Sequence, residues 1–586
     1  MDPPSEATPL LAEQEAGPQQ RVRVSQTVIS RLWKRYDSLS TVVRVTPILF
    51  LSALSDGLPQ LTIVDIMKRV LCAVWYIKNS PDEIPEDGAI PDEKCQTPGP
   101  VAWFSAFMVI QALLLAFGGF VITSLVAQFG TRVGRKPILL LLLMGQIVAM
   151  ASFTAALFVP NDVGALALLV VWLVISSFAS YVPVLFTCNL MVVDTAESDA
   201  RTAALSFTMG AVAAGGIPSF ALGGLIYRLS GPRTLCLITL GILMLTFILS
   251  SSAFVRETFG GNKLIAARED RQERRRQARE RSLERWVSDE GDATRGPRRV
   301  VRKSYEAVHA IFDPVLRLGP TIKEDGTRNL RLTWLGIAYF FAAMGTGYLA
   351  PALISYMTIV LHQDPAENGL AMTAVSIFQT LSLAVFFPFA ATKGRSLYTR
   401  MHARTIGQNK HANGQSNGSL AERQSLVPTG QSTDTLQNPS SELSAAHFDV
   451  YLLRWCYVVF IPLILGIGYA KNNTQLIALS SLLMLCAGSH PVMQSVAAAS
   501  VSPIQAGEAI AGVEMVGQIA RFASPVMIGS LQSKTILQMP MIMFIVMAAF
   551  VFVGGVLTLP IRDEDRYIPP TVASPVQEES DMSEER

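Results

Sequence analysis

Apolar stretches of membrane-spanning length alternate with polar segments along most of the chain. The hydrocarbon core of a bilayer takes about 20 apolar residues in a helix. Gly and Pro interrupt several stretches, which membrane helices tolerate when their neighbours satisfy the freed backbone groups. We find twelve stretches and predict that each is a membrane-spanning helix, at residues 43–66, 101–127, 137–159, 163–190, 203–229, 233–255, 331–358, 369–392, 450–470, 475–500, 507–532 and 537–560.

Two long polar segments organise these spans. The first separates them six and six, and its Arg-rich middle predicts either a solvated cytosolic linker or a contact with anionic lipid headgroups. The second is rich in Ser, Asn, Gln and Thr and is predicted to be disordered. The predicted order is a tail, a six-helix bundle, a linker, a six-helix bundle with a disordered insert, and a tail, at residues 1–42, 43–255, 256–330, 331–560 with 399–446, and 561–586.

Composition agrees with an integral membrane protein, and local charge predicts its orientation. Half of the 586 residues are hydrophobic and 16% are charged, whereas soluble chains are about 25% charged. The net charge of +2 gives no indication of nucleic-acid binding. Basic residues precede the first span (Arg31, Lys34) and follow the second (Arg132, Arg135). The positive-inside rule therefore places the N-terminus, and with twelve spans the C-terminus, in the cytosol.

Other motifs limit the possible chemistry. The first 40 residues lack the apolar region of a signal peptide, so the first span is predicted to be an internal anchor. The six cysteines form no CxxC pair and no Cys/His cluster, which predicts no metal site, and no cofactor is expected. There is no P-loop for ATP and no Ser/His/Asp arrangement, so an enzyme is not expected.

The first non-cytosolic loop holds Cys72 and Cys95. They could form a disulfide if this side is oxidising, and two unpaired thiols are the alternative. Asn472, followed by Thr474, is a glycosylation sequon predicted on the same side, very close to the membrane.

The two halves of the chain share a weak internal similarity. Matching elements follow in the same order at corresponding spans, which favours an ancestral duplication. Parallel repeats of this kind hold their site between the halves, near the middle of the membrane. The matches are Pro183 with Pro491, Pro218 with Pro525, and Arg135 with Arg395.

Asp56 is the clearest ionisable residue within a predicted span. A charge inside the bilayer is costly and indicates function. Ser52, Ser55, Asp56 and Gln60 lie on one stripe at helical spacing, near the middle of the first span. Burial favours the protonated carboxyl group. We therefore predict that Asp56 couples transport to protons; the alternative is a carboxylate permanently held by an Arg.

The eleventh span carries a second polar face. Glu514, Gln518 and Arg521 recur at i, i+4 and i+7, and Glu514 is the other predicted proton-coupling residue. Glu514 and Arg521 are about 10 Å apart along the helix axis, so we predict that they line one pathway without pairing directly. His490 could titrate near neutral pH or be structural. The predicted substrate-lining residues are Gln60, Gln111, Asn189, His490, Gln494, Gln518 and Arg521.

The turn after the second span resembles the signature of the major facilitator superfamily, G-x-x-x-D-R-x-G-R-[RK]. Arg132, Gly134, Arg135 and Lys136 match it, but Thr131 stands at the acidic position and Ala127 at the leading Gly. The resemblance implies a conformational latch in which Arg132 or Arg135 pairs with Asp194, at the end of the fourth span. We expect Glu508, at the start of the eleventh span, to replace part of the charge missing at Thr131; the alternative is an ordinary surface acid at a helix N-terminus. The implied latch residues are Arg132, Gly134, Arg135, Lys136, Asp194, Arg201 and Glu508.

The fifth span resembles the Gly/Pro element associated with antiporters in this superfamily. It carries Gly216, Pro218, Gly223 and Gly224. Together with the long polar inserts, this is similar to fungal twelve-span members related to drug:proton antiporters. The resemblance implies the all-α major facilitator fold, with twelve transmembrane helices in two six-helix pseudo-repeats, working as a monomer.

These features predict a secondary active transporter that exports a small organic compound by proton antiport. The alternatives are proton symport of an anionic metabolite, which Arg521 would suit, and a non-transporting membrane sensor. The protein is expected in the plasma membrane or the vacuolar membrane. Glu6, Leu10 and Leu11 resemble an acidic dileucine signal read by sorting adaptors, although a chance Leu pair would look the same.

Overall fold

A computed structural model shows how these segments fold. It describes residues 40–83, 90–91, 94–197, 200–261, 264–266, 268–269, 272–273, 276, 311–322, 328–363, 365–398, 439–535 and 538–562. The predicted sorting signal at Glu6, Leu10 and Leu11, most of the linker, most of the insert and nearly all of the C-terminal tail lie outside the described residues.

Helices occupy all twelve apolar runs. In the N-terminal half, residues 41–251, they are α1 (Thr41–Gly57), α2 (Gln60–Asn79), α3 (Pro98–Val133), α4 (Arg135–Ala156), α5 (Asp162–Phe178), α6 (Tyr181–Thr195) and α7 (Arg201–Ser251). In the C-terminal half, residues 331–556, they are α8 (Arg331–Thr346), α9 (Leu349–Ile359), α10 (Pro365–Leu381), α11 (Pro439–Gly468), α12 (Asn473–Leu483), α13 (Ser489–Ala499), α14 (Ala506–Ser524), α15 (Ser530–Thr535) and α16 (Met541–Val556).

Short elements complete the fold. A ribbon of two two-residue strands, β1 (Thr321–Ile322) and β2 (Arg328–Asn329), is antiparallel and lies just before α8. Further elements are 3-10 turns at Pro81–Glu83, Lys94–Gln96 and Met484–Cys486 and π-helical turns at Ser382–Phe386 and Pro525–Gly529. Residues 311–316 and 387–398 are also helical. In the part of the chain that the structure describes, the fold is otherwise all-α, as the apolar runs predict.

Length and apolar character identify nine helical stretches in the described chain as able to cross a membrane. One of them, Arg201–Ser251, contains two of the predicted spans. They meet at Gly231, whose φ of 79° ends the first helix, and Pro232 follows it. Helix α16 is apolar but shorter. The chain is a multi-pass membrane protein, and the number twelve remains a prediction.

Two predicted boundaries are wrong. The first span does not end at residue 66, because α2 continues to Asn79 with Met67, Leu71 and Tyr76 buried along its length. The predicted disordered insert does not extend to residue 446, because α11 begins at Pro439. Proline suits the first turn of a helix, where its missing N–H has no partner to lose.

Close contact between α1 and α7 depends on glycines. A Cβ atom at Gly215 would lie 2.3 Å from the Phe50 carbonyl oxygen, and one at Gly223 would lie 2.3 Å from that of Leu58. Gly216 and Gly224 have no such neighbour within 4 Å. The packing stripe in the fifth span is therefore Gly215 and Gly223, and Gly215 was not singled out from the sequence.

A disulfide joins Cys72, in α2, to Cys95, just before α3. Their Cα atoms are 5.5 Å apart, and Tyr76 packs beside them while its hydroxyl donates to the Lys94 carbonyl oxygen at 3.2 Å. The bond therefore ties the end of α2 to the start of α3.

We expect this disulfide to be detectable by counting thiols. The denatured protein should react with a maleimide at four cysteines before reduction and at six afterwards. Reduction should also lower the melting temperature, because a crosslink of this kind contributes about 2–4 kcal/mol. The double variant Cys72→Ser/Cys95→Ser is the control and should not respond to reductant. Six reactive thiols without reduction would contradict the pairing.

Candidate functional site

A central cavity of about 670 Å³ lies between the two halves. This is within the range of about 300–1,000 Å³ usual for small-molecule sites. The N-terminal half contributes α6 and α7, with residues such as Asn189 and Met209, and the C-terminal half contributes α8, α10 to α14 and α16. The cavity is thus shared between the halves, as the internal repeat predicts.

Most of the cavity wall is apolar or aromatic. Such a surface suits a hydrophobic or aromatic compound, because burial of the compound's apolar surface favours binding and needs no polar partner. Two thiols, Cys456 and Cys486, are also in the wall. The aromatic residues are Tyr181, Phe186, Tyr339, Tyr457 and Phe460.

The polar part of the cavity is centred on Glu514. Gln494 Nε2 donates to Glu514 Oε1 at 2.8 Å, and His490 Nε2 lies 2.5 Å from the same oxygen. Arg521 Nη2 donates to Glu514 Oε2 at 3.2 Å, and Arg521 Nη1 donates to the Tyr339 hydroxyl at 3.3 Å. Glu514 is 7% exposed, so its charge is balanced by these neighbours rather than by water.

The prediction that Glu514 and Arg521 do not pair directly is wrong. Their backbones are two turns apart, but side chains on a helix lean toward its N-terminus. The long Arg521 side chain therefore reaches back along α14 to Glu514. Axial spacing alone underestimates the reach of an arginine.

Amide groups connect this cluster to the N-terminal half. Asn189 Nδ2, in α6, donates to Gln494 Oε1, in α13, at 3.2 Å. The Thr208 hydroxyl, in α7, lies 3.0 Å from Asn189 Oδ1. Both Asn189 and Gln494 are almost completely buried. A change at Glu514 can thus reach α6 and α7 through hydrogen bonds.

Asp56 lies in a second, smaller cavity of about 140 Å³. All of its lining residues belong to the N-terminal half, and they include Gln60, Gln111, Gln146 and Trp172. The predicted lining residues therefore separate: Asn189, His490, Gln494, Gln518 and Arg521 surround the central cavity, whereas Gln60 and Gln111 accompany Asp56. The two cavities adjoin at the start of α6, where Ser180 lines the smaller one and Tyr181 the larger.

The latch turn is held by a buried ion pair. Arg135 Nε lies 3.1 Å from Asp194 Oδ2, and both side chains are at most 5% exposed. The Arg135 guanidinium also stacks 4.9 Å from the Phe259 ring. Gly134 has φ 108° and ψ 170°, a conformation open mainly to glycine. Of the two arginines that the resemblance offers, the structure brings Arg135 to Asp194.

Glu257, beyond the sixth span, supports the same turn and was missed from the sequence. Its carboxylate accepts the backbone N–H groups of Arg135 at 2.8 Å and Lys136 at 2.9 Å. These are the first N–H groups of α4, which have no intrahelical partner, so a carboxylate there stabilises the helix start. Glu257 is far from the turn in sequence, and only the fold brings the two together.

The other predicted latch residues lie around this core. Exposed Arg132 stacks 5.4 Å from the Phe129 ring, and Lys136 Nζ donates to the Ser252 carbonyl oxygen at 2.9 Å. Arg201 is the first residue of α7. Glu508 forms an ion pair with Arg317 of the linker. Its replacement of the charge missing at Thr131 remains a prediction.

A second buried ion pair lies within the C-terminal half and contacts the N-terminal half through Thr202. Arg395 Nη2 lies 2.5 Å from Asp449 Oδ1. Asp449 Oδ2 accepts the hydroxyl of Thr202, from α7, at 2.7 Å and that of Ser495, from α13, at 2.9 Å. The repeat identified the Arg395 position, but nothing in the sequence singled out Asp449. Both ion pairs lie at the predicted cytosolic end, where the halves are in contact.

Asn472, the predicted glycosylation site, is exposed immediately before α12. Within the described residues, no group of three or more His, Cys, Asp or Glu side chains is placed to hold a metal ion.

A family model and a curated relative of this chain both carry the major facilitator name. The family model described as Major Facilitator Superfamily matches residues 50–312. The chain is similar to the major facilitator-type transporter psiT1 of Psilocybe cyanescens, with 25% identity over 378 residues, or 64% of this chain and 75% of that protein.

Two solved structures share the fold. One is the human organic anion transporter MFSD10 (TETRAN), with 15% identity and a TM-score of 0.56, covering 89% of this chain and 100% of that one. The other is the proton:xylose symporter XylE bound to 6-bromo-6-deoxy-D-glucose, with 10% identity and a TM-score of 0.53, covering 88% of this chain and 95% of that one. At these identities the likeness concerns the fold alone.

Proposed function

From the match of residues 50–312 to the Major Facilitator Superfamily model, we propose that the chain is a member of that superfamily and a secondary active transporter working by alternating access. The observation that carries this proposal is the central cavity, to which both halves contribute polar side chains linked by the Asn189–Gln494 hydrogen bond. At the predicted cytosolic end of the cavity the halves are in contact through the hydrogen bond that the Thr202 hydroxyl donates to Asp449. Separating the halves at that end would expose the cavity to the cytosol.

Protons are the proposed coupling ion, and Asp56 is the proposed carrier. Among the described residues, no ion pair includes Asp56, so no positive charge there holds it ionised. Glu514, by contrast, contacts Arg521, His490 and Gln494. A carboxyl group within the membrane that lacks a basic partner is the better proton acceptor and donor, because its neutral form needs no counter-charge.

A small hydrophobic organic compound, such as a drug or secondary metabolite, is the proposed substrate. The aromatic wall offers apolar contact, and Glu514 balances the charge of Arg521. Export by antiport is the proposed direction, from the likeness of the fifth span to the antiporter Gly/Pro element.

Proton symport of an anionic metabolite is the second candidate. Arg521 lines the cavity, and protonation of Glu514 would release the guanidinium to bind an anion. In that mechanism, proton and anion would bind together. Arg521 is available to an anion only when Glu514 is protonated, because the ionised carboxylate otherwise neutralises the guanidinium.

Flux into or out of proteoliposomes under an imposed pH gradient tests the proposal. Substrate movement against its gradient and opposite to protons supports antiport, and movement with protons supports symport. The Asp56→Asn variant should lose pH-driven flux by at least about tenfold, equal to 1.4 kcal/mol. Asp82→Asn, an exposed carboxylate in a surface turn, is the matched control and should keep it. Absence of flux with hydrophobic, cationic and anionic compounds would instead favour a non-transporting sensor.

The proposed location is the plasma membrane or the vacuolar membrane, with both termini cytosolic. A fluorescent fusion with Leu10 and Leu11 changed to Ala distinguishes the two. Movement from the vacuole to the cell surface would support recognition of the dileucine signal by sorting adaptors.

A further inference from the structure

The last part of the linker packs between the two halves. We name residues 311–318 the seam segment. On the side of the N-terminal half, the Ser124 hydroxyl of α3 donates to the Ile311 carbonyl oxygen at 2.7 Å. The rings of Phe120 and Phe312 are 5.1 Å apart. These contacts attach the start of the segment to α3.

The rest of the seam segment is attached to the C-terminal half. Arg317 pairs with Glu508, at the start of α14, and with Asp313 at 2.6 Å. Leu318 is 6% exposed, and its carbonyl oxygen accepts the Thr333 hydroxyl of α8 at 2.5 Å. The segment therefore contacts both halves over less than three helical turns.

A glycine allows the segment to lie against α14. A Cβ atom at Gly512 would be 2.3 Å from the Pro314 carbonyl oxygen and 3.2 Å from Leu318 Cδ2. Contact below 3.0 Å with a backbone atom cannot be relieved by a side-chain rotation. Only glycine at this position permits the observed packing.

The seam segment also reaches the predicted depth of the membrane. Ser124 lies more than two turns before the end of α3 at Val133, a distance of about 13 Å at 1.5 Å per residue. A cytosolic linker that only connected the halves would have no need to enter between their helices.

We propose that the seam segment is a clamp that holds the two halves together at the cytosolic end and must leave the seam before that end can open. When the halves separate, the segment cannot keep both the Ser124 bond and its contact with Gly512. Its packing energy therefore stabilises the state in which the cytosolic end is closed. The state of the linker thus sets how often the cavity opens to the cytosol. This inference goes beyond the proposed function and depends on neither substrate nor coupling ion.

Gly512→Ala tests the clamp in the purified full-length protein. The added methyl group should expel the segment, so trypsin should cut after Arg317 at least about tenfold faster. A tenfold larger population of the exposed segment corresponds to a change of about 1.4 kcal/mol in the free energy of its release. Hydrogen exchange should also increase in the seam segment and in the facing parts of α3 and α14. Gly119→Ala is the matched control, because no atom lies within 4 Å of its Cβ position.

Arg317→Gln provides a second variant that adds no steric clash. It should raise exchange in the same regions by a smaller factor, whereas Arg328→Gln, on an exposed strand, should not. If the segment leaves while exchange in α3 and α14 stays at the wild-type rate, the segment is packing without a clamping role. If cleavage after Arg317 is unchanged in Gly512→Ala and exchange in the segment is unchanged in both variants, the packing itself is wrong. Trypsin cleavage and hydrogen exchange need no substrate, so they test the clamp independently of the flux assay that tests the proposed transport.

Discussion

Glu514→Gln is expected to reduce proton-driven transport by at least about tenfold while leaving the protein folded. The isosteric amide cannot carry the charge that balances Arg521 and His490. Because the Arg521 side chain is 37% exposed, water screens part of the loss. The lost hydrogen bonds between charged groups contribute about 1.5–3 kcal/mol, and each 1.4 kcal/mol corresponds to about a tenfold change. The substitution should weaken the polar cluster around Glu514, which is connected to the N-terminal half through Gln494 and Asn189.

Initial rates in proteoliposomes, with and without a pH gradient, measure this effect. Glu197→Gln, an exposed carboxylate beyond α6, is the control and should transport normally. Elution as a single species and an unchanged helical content would show that the Glu514→Gln protein is folded. A folded variant that transports at the wild-type rate would remove Glu514 from the mechanism.

Asp194→Asn is expected to destabilise the protein by about 3–5 kcal/mol, because it leaves the buried Arg135 guanidinium without its carboxylate. The Arg135 guanidinium also lies against Gly507 of α14, in the other half, so the contact between the halves at the cytosolic end should loosen as well. Melting temperature and hydrogen exchange at the start of α4 measure the two consequences.

Arg132→Gln is the matched control for the latch. Arg132 is exposed and stacks on Phe129, an interaction of about 0.5–1 kcal/mol at the surface. The double variant Arg135→Gln/Asp194→Asn should be less harmful than the sum of its parts, because the two residues act as one pair. Strictly additive effects would mean that the ion pair contributes nothing of its own.

The polar residues of the cavities could be found from the sequence, because a charged or amide side chain in an apolar run is unusual enough to be noticed. Gln494 and Arg521 were recognised in this way, and both line the central cavity. The rule identifies residue type and depth. It does not tell which residues share a cavity, so it could not separate Asp56 from Asn189.

Contacts between distant segments could not be predicted. Asp449 lies at the edge of a polar insert and looks like a surface acid, yet the fold buries it against Arg395 and Thr202. The seam segment belongs to a linker whose composition predicts solvation, and its position depends on the space beside Gly512. Such arrangements depend on tertiary packing, which local periodicity does not encode.

The junction at Ser180 and Tyr181 bears on how proton movement and substrate movement could become uncoupled. These consecutive residues form part of the walls of the two cavities. Because the two residues are bonded to each other, a shift of the backbone at one wall should move the other wall. Protonation of Asp56 and binding of a compound beside Tyr181 should therefore influence each other through this backbone. A more flexible backbone at Ser180 and Tyr181 should leave both sites intact but allow the proton and the substrate to bind and leave independently of each other.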